Sequence, residues 1–595
     1  MQEQTKGISV DWLSLWLGLF IFIVTLGVFA GNDLLGWSIK TSVWTDASKA
    51  LSPISEKYAT VKGEVTKIDG LKVTLKKGDG AEATIEVKDA SGLKVGDTYE
   101  KKGVSGIAAL LFTYLAMLVI MGVGARLLGA DLVKFIIGFT IVFWLSYLCY
   151  LAGHYAYIAA TTPKEMTKFG ISWALKLTGE AGLIIALIAG LIVGNFLPKA
   201  AENLKEATRP ELYIKTAIVI MGAGLGLKAA ESLGLATAVM FRGLCAIVEA
   251  YLIYWAVVYW MARKYFGFSK EWAAPLASGI SICGVSAAIA TGGAIRARPI
   301  VPIMVSSLVV VFAVVELVIL PWFAKVFLWQ EPLVAGAWMG LAVKTDGAAV
   351  ASGAITDAWI RAEALQQAGI NYKEGWMLMT ATTVKMFIDI FIGVWAFILA
   401  VIWCTKIECK PGEKVGVGEI WNRFPKFVIG YVITFFLLLF ICLPASKTAN
   451  ALDKELVPVK QEIAAAEKQK AEASAALAAA KPKQKSAAKK AVADIDQKLA
   501  AANAKKADIE AQTKPAKAVL SKAKLATDEG NIFRVMFFVL TFFTIGLVSN
   551  FKKLWEEGIG RLAAVYVIAL FGFIIWVGLI ISWIFFHGVK PPLAG

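Results

Sequence analysis

Two stretches decide how this chain folds: Ser278-Gly279-Ile280-Ser281-Ile282-Cys283-Gly284-Val285-Ser286-Ala287-Ala288, and Gly340-Leu341-Ala342-Val343-Lys344-Thr345-Asp346-Gly347-Ala348-Ala349-Val350-Ala351-Ser352-Gly353. Each is apolar enough to enter a bilayer, yet glycines and small polar side chains interrupt it. Small residues let another backbone approach closely, so a tight packing face is one reading of the first stretch. The other reading is a helix that unwinds part-way through the membrane. An unwound turn presents free N–H groups at the start of the next half-helix, where the dipole is positive, and such a place receives an anion without a full charge. The second stretch adds Lys344 and Asp346, two residues apart. They either neutralise each other or divide the work, the lysine facing an anion and the aspartate exchanging a proton. Two broken spans with charges nearby are the pattern of a secondary transporter core.

The surrounding sequence supports a membrane setting. Of 595 residues, 58% are hydrophobic and 18% charged, against about 45–50% and about 25% in soluble chains. That excludes a purely soluble enzyme, a disordered protein and a charge-dominated nucleic-acid-binding domain. Apolar runs long enough to cross lie near 9–33, 105–128, 132–158, 171–197, 213–229, 235–262, 300–326, 376–404, 427–445, 531–549 and 561–587. The first run is long, lacks an A-x-A site and follows a barely basic flank, so it is expected to be a span rather than a cleaved signal peptide. The expected fold is an all-α polytopic membrane protein with paired broken, crossing helices.

The net charge of +16 matches the basic excess expected at cytoplasmic helix ends. Lys199, Lys205, Arg209 and Lys215 form one short basic loop, and Arg263, Lys264 and Lys270 a second. Lys406, Lys410, Lys414, Arg423 and Lys426 form a third, and Lys552, Lys553 and Arg561 a fourth. All four share one side if both weak stretches cross once, with the N-terminus inside and the C-terminus outside. Arg296 and Arg298 then violate the rule, which a re-entrant path for 272–296 would remedy. The scattered cysteines and the two histidines, His154 and His587, offer no metal site and no hydrolytic triad. No cofactor and no enzymatic activity are expected.

Two insertions interrupt the spans, dividing the chain into a first span (1–40), a small β-rich domain (41–104), a transmembrane core (105–446), a coiled-coil hairpin (447–530) and the last two spans (531–595). In 41–104, polar and apolar residues alternate over Tyr58–Ile68, Leu71–Lys77, Ala83–Asp89 and Thr98–Lys102, with turns at Ile68-Asp69-Gly70 and Gly78-Asp79-Gly80. This predicts a four- or five-stranded barrel. Ala- and Lys-rich segments, Leu452–Ala480 and Ser486–Asp528, have strong helix propensity and flank a break at Lys481–Lys485. They predict an antiparallel coiled-coil hairpin on the same external side.

Ionisable residues inside spans are costly and point to function. They are Glu180, Arg242, Glu249, Glu316, Lys344, Asp346, Lys385 and Asp389. Arg242 and Glu249 share a helix face. Lys385 and Asp389 stand at i, i+4, the spacing of a local ion pair. Glu316 reads either as a hydrogen-bonded structural carboxyl or as an ion-coupling group. A faint echo relates Gly222–Gly234 to Gly546–Gly558, each between two apolar spans.

Leu197-Pro198-Lys199-Ala200-Ala201-Glu202, the Tyr213–Gly224 run, and Ser281-Ile282-Cys283-Gly284-Val285-Ser286-Ala287 followed by Arg296-Ala297-Arg298-Pro299 resemble the sulfate exporter family of bacterial inner-membrane proteins. The likeness covers about 171–405 and the last two spans. It implies a multi-span transporter related to bile-acid symporters and cation–proton antiporters, with an inverted repeat and a small inorganic or organosulfur anion as substrate. Where many members carry Ser-Ile-His-Glu, this chain has Val343-Lys344-Thr345-Asp346. The family's basic residue three positions after the one matching Lys385 is Ile388 here. The expected anion ligands are Ser281, Cys283, Gly284, Ser286, Lys344, Thr345 and Lys385, with Asp346, Asp389 or Glu316 coupling H⁺ or Na⁺. The expected partners are that anion, the coupling ion, the lipid bilayer and a second copy of the chain, without nucleic acid. A cation–proton antiporter, and a channel or sensor whose hairpin docks a partner, are the alternatives.

Overall fold

The computed structural model describes residues 8–76, 82–87, 89–160, 163–175, 177–179, 181–298, 300–407, 421, 424–479, 485–549 and 560–594. Every long apolar run becomes a helix. Among the described residues ten helices are long and apolar enough to cross a membrane, and the short Ala181–Phe196 helix occupies the remaining run. Side chains start several of them. Ser9 accepts from Trp12 N at 3.3 Å, Ser105 from Ala108 N at 3.2 Å, and Asp131 from Val133 N and Lys134 N at 3.1 Å. Each thereby satisfies a backbone donor that a helix start leaves free.

Glycine pairs set the closest helix contacts. A Cβ on Gly190 or Gly194 would meet Phe543 O at 2.0 Å or Leu547 O at 2.4 Å. On Gly222 and Gly226 it would meet Tyr431 O at 2.5 Å and Phe435 O at 2.1 Å. Backbone therefore lies against backbone along the Ala181–Phe196 and Pro210–Glu231 helices, the small-xxx-small geometry of membrane packing. Gly546 answers from the partner side, with a Cβ 2.3 Å from Leu187 O. The rest of the expected echo, 550–558, lies outside the described residues.

Residues 39–101 fold as strands β1 (Ile39–Thr41), β2 (Leu51–Pro53), β3 (Val61–Asp69), β4 (Lys72–Lys76), β5 (Glu82–Glu86) and β6 (Thr98–Lys101). Strands β1 and β2 pair with each other, and the other four are ordered β5-β4-β3-β6. Val61, Val65, Val73, Leu75, Ile85 and Val87 form its core, as the alternation requires. The expected barrel is corrected. Among the described residues β5 and β6 remain edges, and Val65–Lys67 carries a register shift.

The expected hairpin forms, but 447 and 530 are not structural boundaries. One helix runs unbroken over Phe427–Ala479 and another over Lys485–Val548, so each arm continues a membrane span. Pro444, Pro458 and Pro515 are carried inside them. Leu456, Val459 and Ile509 are buried between the arms, and Lys470–Asp496 (2.7 Å) and Lys517–Asp453 (2.9 Å) link their surfaces.

Both weak stretches break where the glycines predict, giving half-helices Lys270–Ser281 with Val285–Ala294, and Pro332–Ala342 with Asp346–Ala368. Their path differs from a crossing. In the first, Thr291 Oγ1 donates to Ser278 Oγ at 2.7 Å, a Cβ on Gly279 would lie 3.5 Å from that of Ala288, and Arg298 N donates to Glu271 Oε1 at 2.7 Å. The halves lie antiparallel, so the segment re-enters the side it came from. In the second, Gly340 and Gly353 both abut Ala381, while Gly375 N and Met377 N donate to Asp357. This segment also doubles back, along the Trp376–Ile390 helix. The first packs Ala274 and Ile295 against Leu399 and Trp403, at the opposite end of the same Trp376–Ile407 span. The two hairpins therefore enter from opposite sides. Arg296 and Arg298 return to the side of Lys264 and Lys270, which removes the violation of the basic-loop rule.

Candidate functional site

The hairpin tips meet at Gly284 and Thr345. Gly284 has φ +76, a left-handed conformation that glycine adopts freely, and a Cβ there would lie 3.3 Å from Lys344 O and 2.6 Å from Val309 Cγ1. Each tip joins the C-terminal end of one half-helix to the N-terminal end of the next. The C-terminal ends carry orphan carbonyls. Lys385 Nζ donates to three of them: Ile282 O at 2.8 Å, Val343 O at 3.2 Å and Lys344 O at 3.2 Å. One fully buried ammonium thus ties both tips together. The N-terminal ends begin at Val285 and Asp346, and Thr345 Oγ1 caps the second by accepting from Ala348 N at 3.1 Å.

The expected Lys385–Asp389 ion pair does not form; among the described residues no carboxylate lies within 4.0 Å of Lys385 Nζ. Three carbonyls at helix ends outcompete one carboxylate a turn away. Asp389 faces Asp346 instead. Cys283, Asp346 and Asp389 each bring one ligand atom within 4.8 Å of the others, and all three are buried. Asp346 Oδ1 and both oxygens of Asp389 have no hydrogen-bond donor, and neither has Ser281 Oγ a partner. Two buried carboxyls in this proximity cannot both ionise without great cost, so they share a proton or hold a cation. The Cys-Asp-Asp set is the one group of three such side chains among the described residues placed to hold a metal ion.

Lys344 and Asp346 leave the second tip in different directions. Lys344 Nζ donates to Leu341 O at 2.5 Å and sits 4.5 Å over the Tyr254 ring, while its backbone N donates to Glu316 Oε2 at 2.8 Å. Tyr566 donates to Glu316 Oε1 at 2.9 Å. Glu316 is thus a tip-holding acceptor with two donors, while Lys385 spends its three ammonium donors on carbonyls and Lys344 spends one. Ser286 is half-buried at the start of its half-helix. Arg242 is bonded to Phe585 O and Glu249 lies beside Gly578, seven residues earlier on the same last span, so the two share a helix face as their spacing predicts. Glu180 lies outside the described residues.

Sequence reasoning overlooked Lys215, counted there with the cytoplasmic charges. It is buried, bonded to Asp11 at 2.9 Å and Glu211 at 3.0 Å. Beside it a cavity of about 30 Å³, room for one water, is lined by Glu211, Thr345, Gly347 and Thr541 and reaches the second tip. Tyr566 and Tyr254 were also missed. A tyrosine in an apolar span is a weak signal, but buried hydroxyls there require a partner.

A family model described as Conserved hypothetical protein 698 matches residues 171–471, which hold both hairpins, Lys385 and Asp389. A UPF0324 membrane protein of Nitrosomonas europaea is 36% identical over 584 residues, 98% of this chain and 96% of its own. An uncharacterized protein of Archaeoglobus fulgidus is 42% identical over 217 residues, 36% of this chain and 88% of its own. A UPF0324 membrane protein of Nitratidesulfovibrio vulgaris is 31% identical over 319 residues, 52% of this chain and 46% of its own. No solved structure matches. With ten long apolar helices among its described residues and a relative matched almost end to end, this chain is a multi-pass membrane protein that belongs to the UPF0324 membrane protein family.

Proposed function

We propose that the protein is a secondary active transporter in which proton exchange at Asp346 and Asp389 is coupled to movement of a small anion. The observation that carries this reading is the meeting of two re-entrant tips from opposite sides, held by Lys385. Irregular backbone at membrane depth is tolerated where it lines a cavity or pathway. Lys385 absorbs the negative C-terminal ends of the half-helices. What stays without a side-chain cap is the positive N-terminal end at Val285, where a small anion would find backbone N–H groups, while the Asp346 end is capped by Thr345. The carboxyl pair sets the sign. Ionised, it repels an anion from the tips; protonated, it admits one, so proton and anion bind together. Ser281 Oγ, buried and without a partner, and Thr345 Oγ1 and Ser286 at the starts of the half-helices are the hydroxyls offered here. The likeness to the sulfate exporter family points to sulfate, sulfite or an organosulfur anion.

One observation favours a second reading, cation–proton exchange: Lys344 and Lys385 already serve protein acceptors, while carboxylate oxygens of Asp346 and Asp389 go unpartnered. Flux into proteoliposomes separates the two. Under an imposed pH gradient, uptake of labelled sulfate or sulfite that is lost in Asp346→Asn and Asp389→Asn supports anion transport. Uptake of labelled Na⁺ with the same losses supports the exchanger. Flux unchanged in both variants refutes the site.

A further inference from the structure

We infer that Glu249 is a second proton-binding site, separate from the Asp346–Asp389 pair, and that it carries its proton in the conformation seen here. Glu249 is fully buried in the middle of the Leu233–Lys264 span, and neither carboxyl oxygen has a hydrogen-bond donor. A bare carboxylate there costs several kcal/mol, a neutral carboxyl far less.

Its neighbours fix the direction of the hydrogen bonding. The hydroxyl lying against it belongs to Tyr254, one turn on within the same π-helical stretch. That hydroxyl donates its single proton to Ile574 O at 2.8 Å, a carbonyl in the π-helical stretch Leu570–Ile574 of the last span. Tyr254 Oη therefore faces Glu249 as an acceptor. An ionised Glu249 meets a lone pair; a protonated one donates into it. Gly578 keeps the space open, since a Cβ there would lie 2.8 Å from Tyr254 Oη and 3.4 Å from Glu249 Oε1.

The charged and titratable groups around it do not compensate an ionised form. On its own helix they are Cys245 and Tyr254. From the second hairpin comes Lys344, already bonded to Leu341 O and stacked over the Tyr254 ring. From the Ile300–Phe327 helix comes Glu316, which unlike Glu249 accepts two hydrogen bonds, from Lys344 N and from Tyr566. Lys344 thus stands between one glutamate fixed by two donors and one that has none. Movement of the second tip carries Lys344 with it, and a Lys344 turned to Glu249 would replace the proton with an ion pair. Only that consequence rests on the transporter reading.

Infrared spectroscopy of the full chain in lipid tests the protonation without any transport. A protonated carboxyl band is expected in the wild type, reduced in Glu249→Gln and retained in Asp346→Asn and Asp389→Asn. Tyr254→Phe should shift the band without removing it, since it takes away the acceptor and leaves the acid. The inference is overturned if Glu249→Gln leaves the band intact, or if Tyr254→Phe leaves its frequency unmoved. Flux lost in the aspartate variants with this band unaltered would separate the two sites; absence of all flux would count against the transporter reading alone.

Discussion

Replacing Lys385 by methionine removes the ammonium while keeping an unbranched side chain of similar length. Three carbonyls, Ile282 O, Val343 O and Lys344 O, then lose their donor at 2.8, 3.2 and 3.2 Å. A net hydrogen bond to a charged group is worth about 1.5–3 kcal/mol, so a simple sum overshoots. The two longer bonds are weaker. Leaving a buried acceptor without its donor costs about 1–3 kcal/mol, and with three carbonyls affected a total of about 3–5 kcal/mol is expected. Domains of about 150–250 residues lose about 2–4 °C per kcal/mol, and a larger chain loses less, giving a fall of about 5 °C or more. The assay is the melting of detergent-purified protein followed by loss of its monodisperse gel-filtration peak, with Lys385→Arg alongside. Arginine keeps the charge but presents a planar fork unsuited to three carbonyls from two tips, so it should rescue only in part. A Lys385→Met protein that melts with the wild type and still transports would show that the ammonium does not hold the tips together.

Gly284→Ala places a Cβ 2.6 Å from Val309 Cγ1 at φ +76; the strain of about 1–3 kcal/mol should abolish flux while leaving the protein folded, as read by uptake and gel filtration. The hairpin paths predict that cysteines at Arg298 and Lys264 are labelled by an impermeant maleimide from one side of the membrane and a cysteine at Lys373 from the other; opposite labelling of Arg298 and Lys264 would restore a crossing helix. The Lys517–Asp453 pair at 2.9 Å is exposed, so Lys517→Ala should change stability by at most about 1 kcal/mol, measured as an unaltered melting curve. Flux should fall as pH rises, because the sharing proton leaves Asp346 and Asp389, and Asp389→Asn should flatten that profile.

Composition and run length made the spans legible, since about 20 apolar residues have few other uses. Glycine spacing located both breaks. What it could not reveal was their path: a broken helix and a re-entrant hairpin have the same local sequence, and the choice is made by distant contacts such as Thr291 with Ser278 and Arg298 with Glu271. The Arg296 and Arg298 charge conflict was the one trace of it in the sequence. The i, i+4 rule misdirected Lys385, because the rule describes an isolated helix surface while this lysine faces carbonyls from two other segments. Glu249 was noticed as ionisable and on the face of Arg242; its acceptor-facing surroundings depend on two π-helical stretches that no propensity marks. The continuity of the coiled-coil arms with membrane spans was not legible, because composition changes abruptly at 447 and 530 while helical geometry does not.

The central claim is that a proton shared by Asp346 and Asp389, at tips clamped by Lys385, is what the protein exchanges. Proton movement recorded by a pH-sensitive dye sealed inside proteoliposomes, during an imposed sulfite or sulfate gradient, tests it most directly. The account predicts a substrate-dependent pH change in the wild type that disappears in Asp346→Asn and in Asp389→Asn while both proteins remain folded. A pH change of wild-type size in either variant would contradict it.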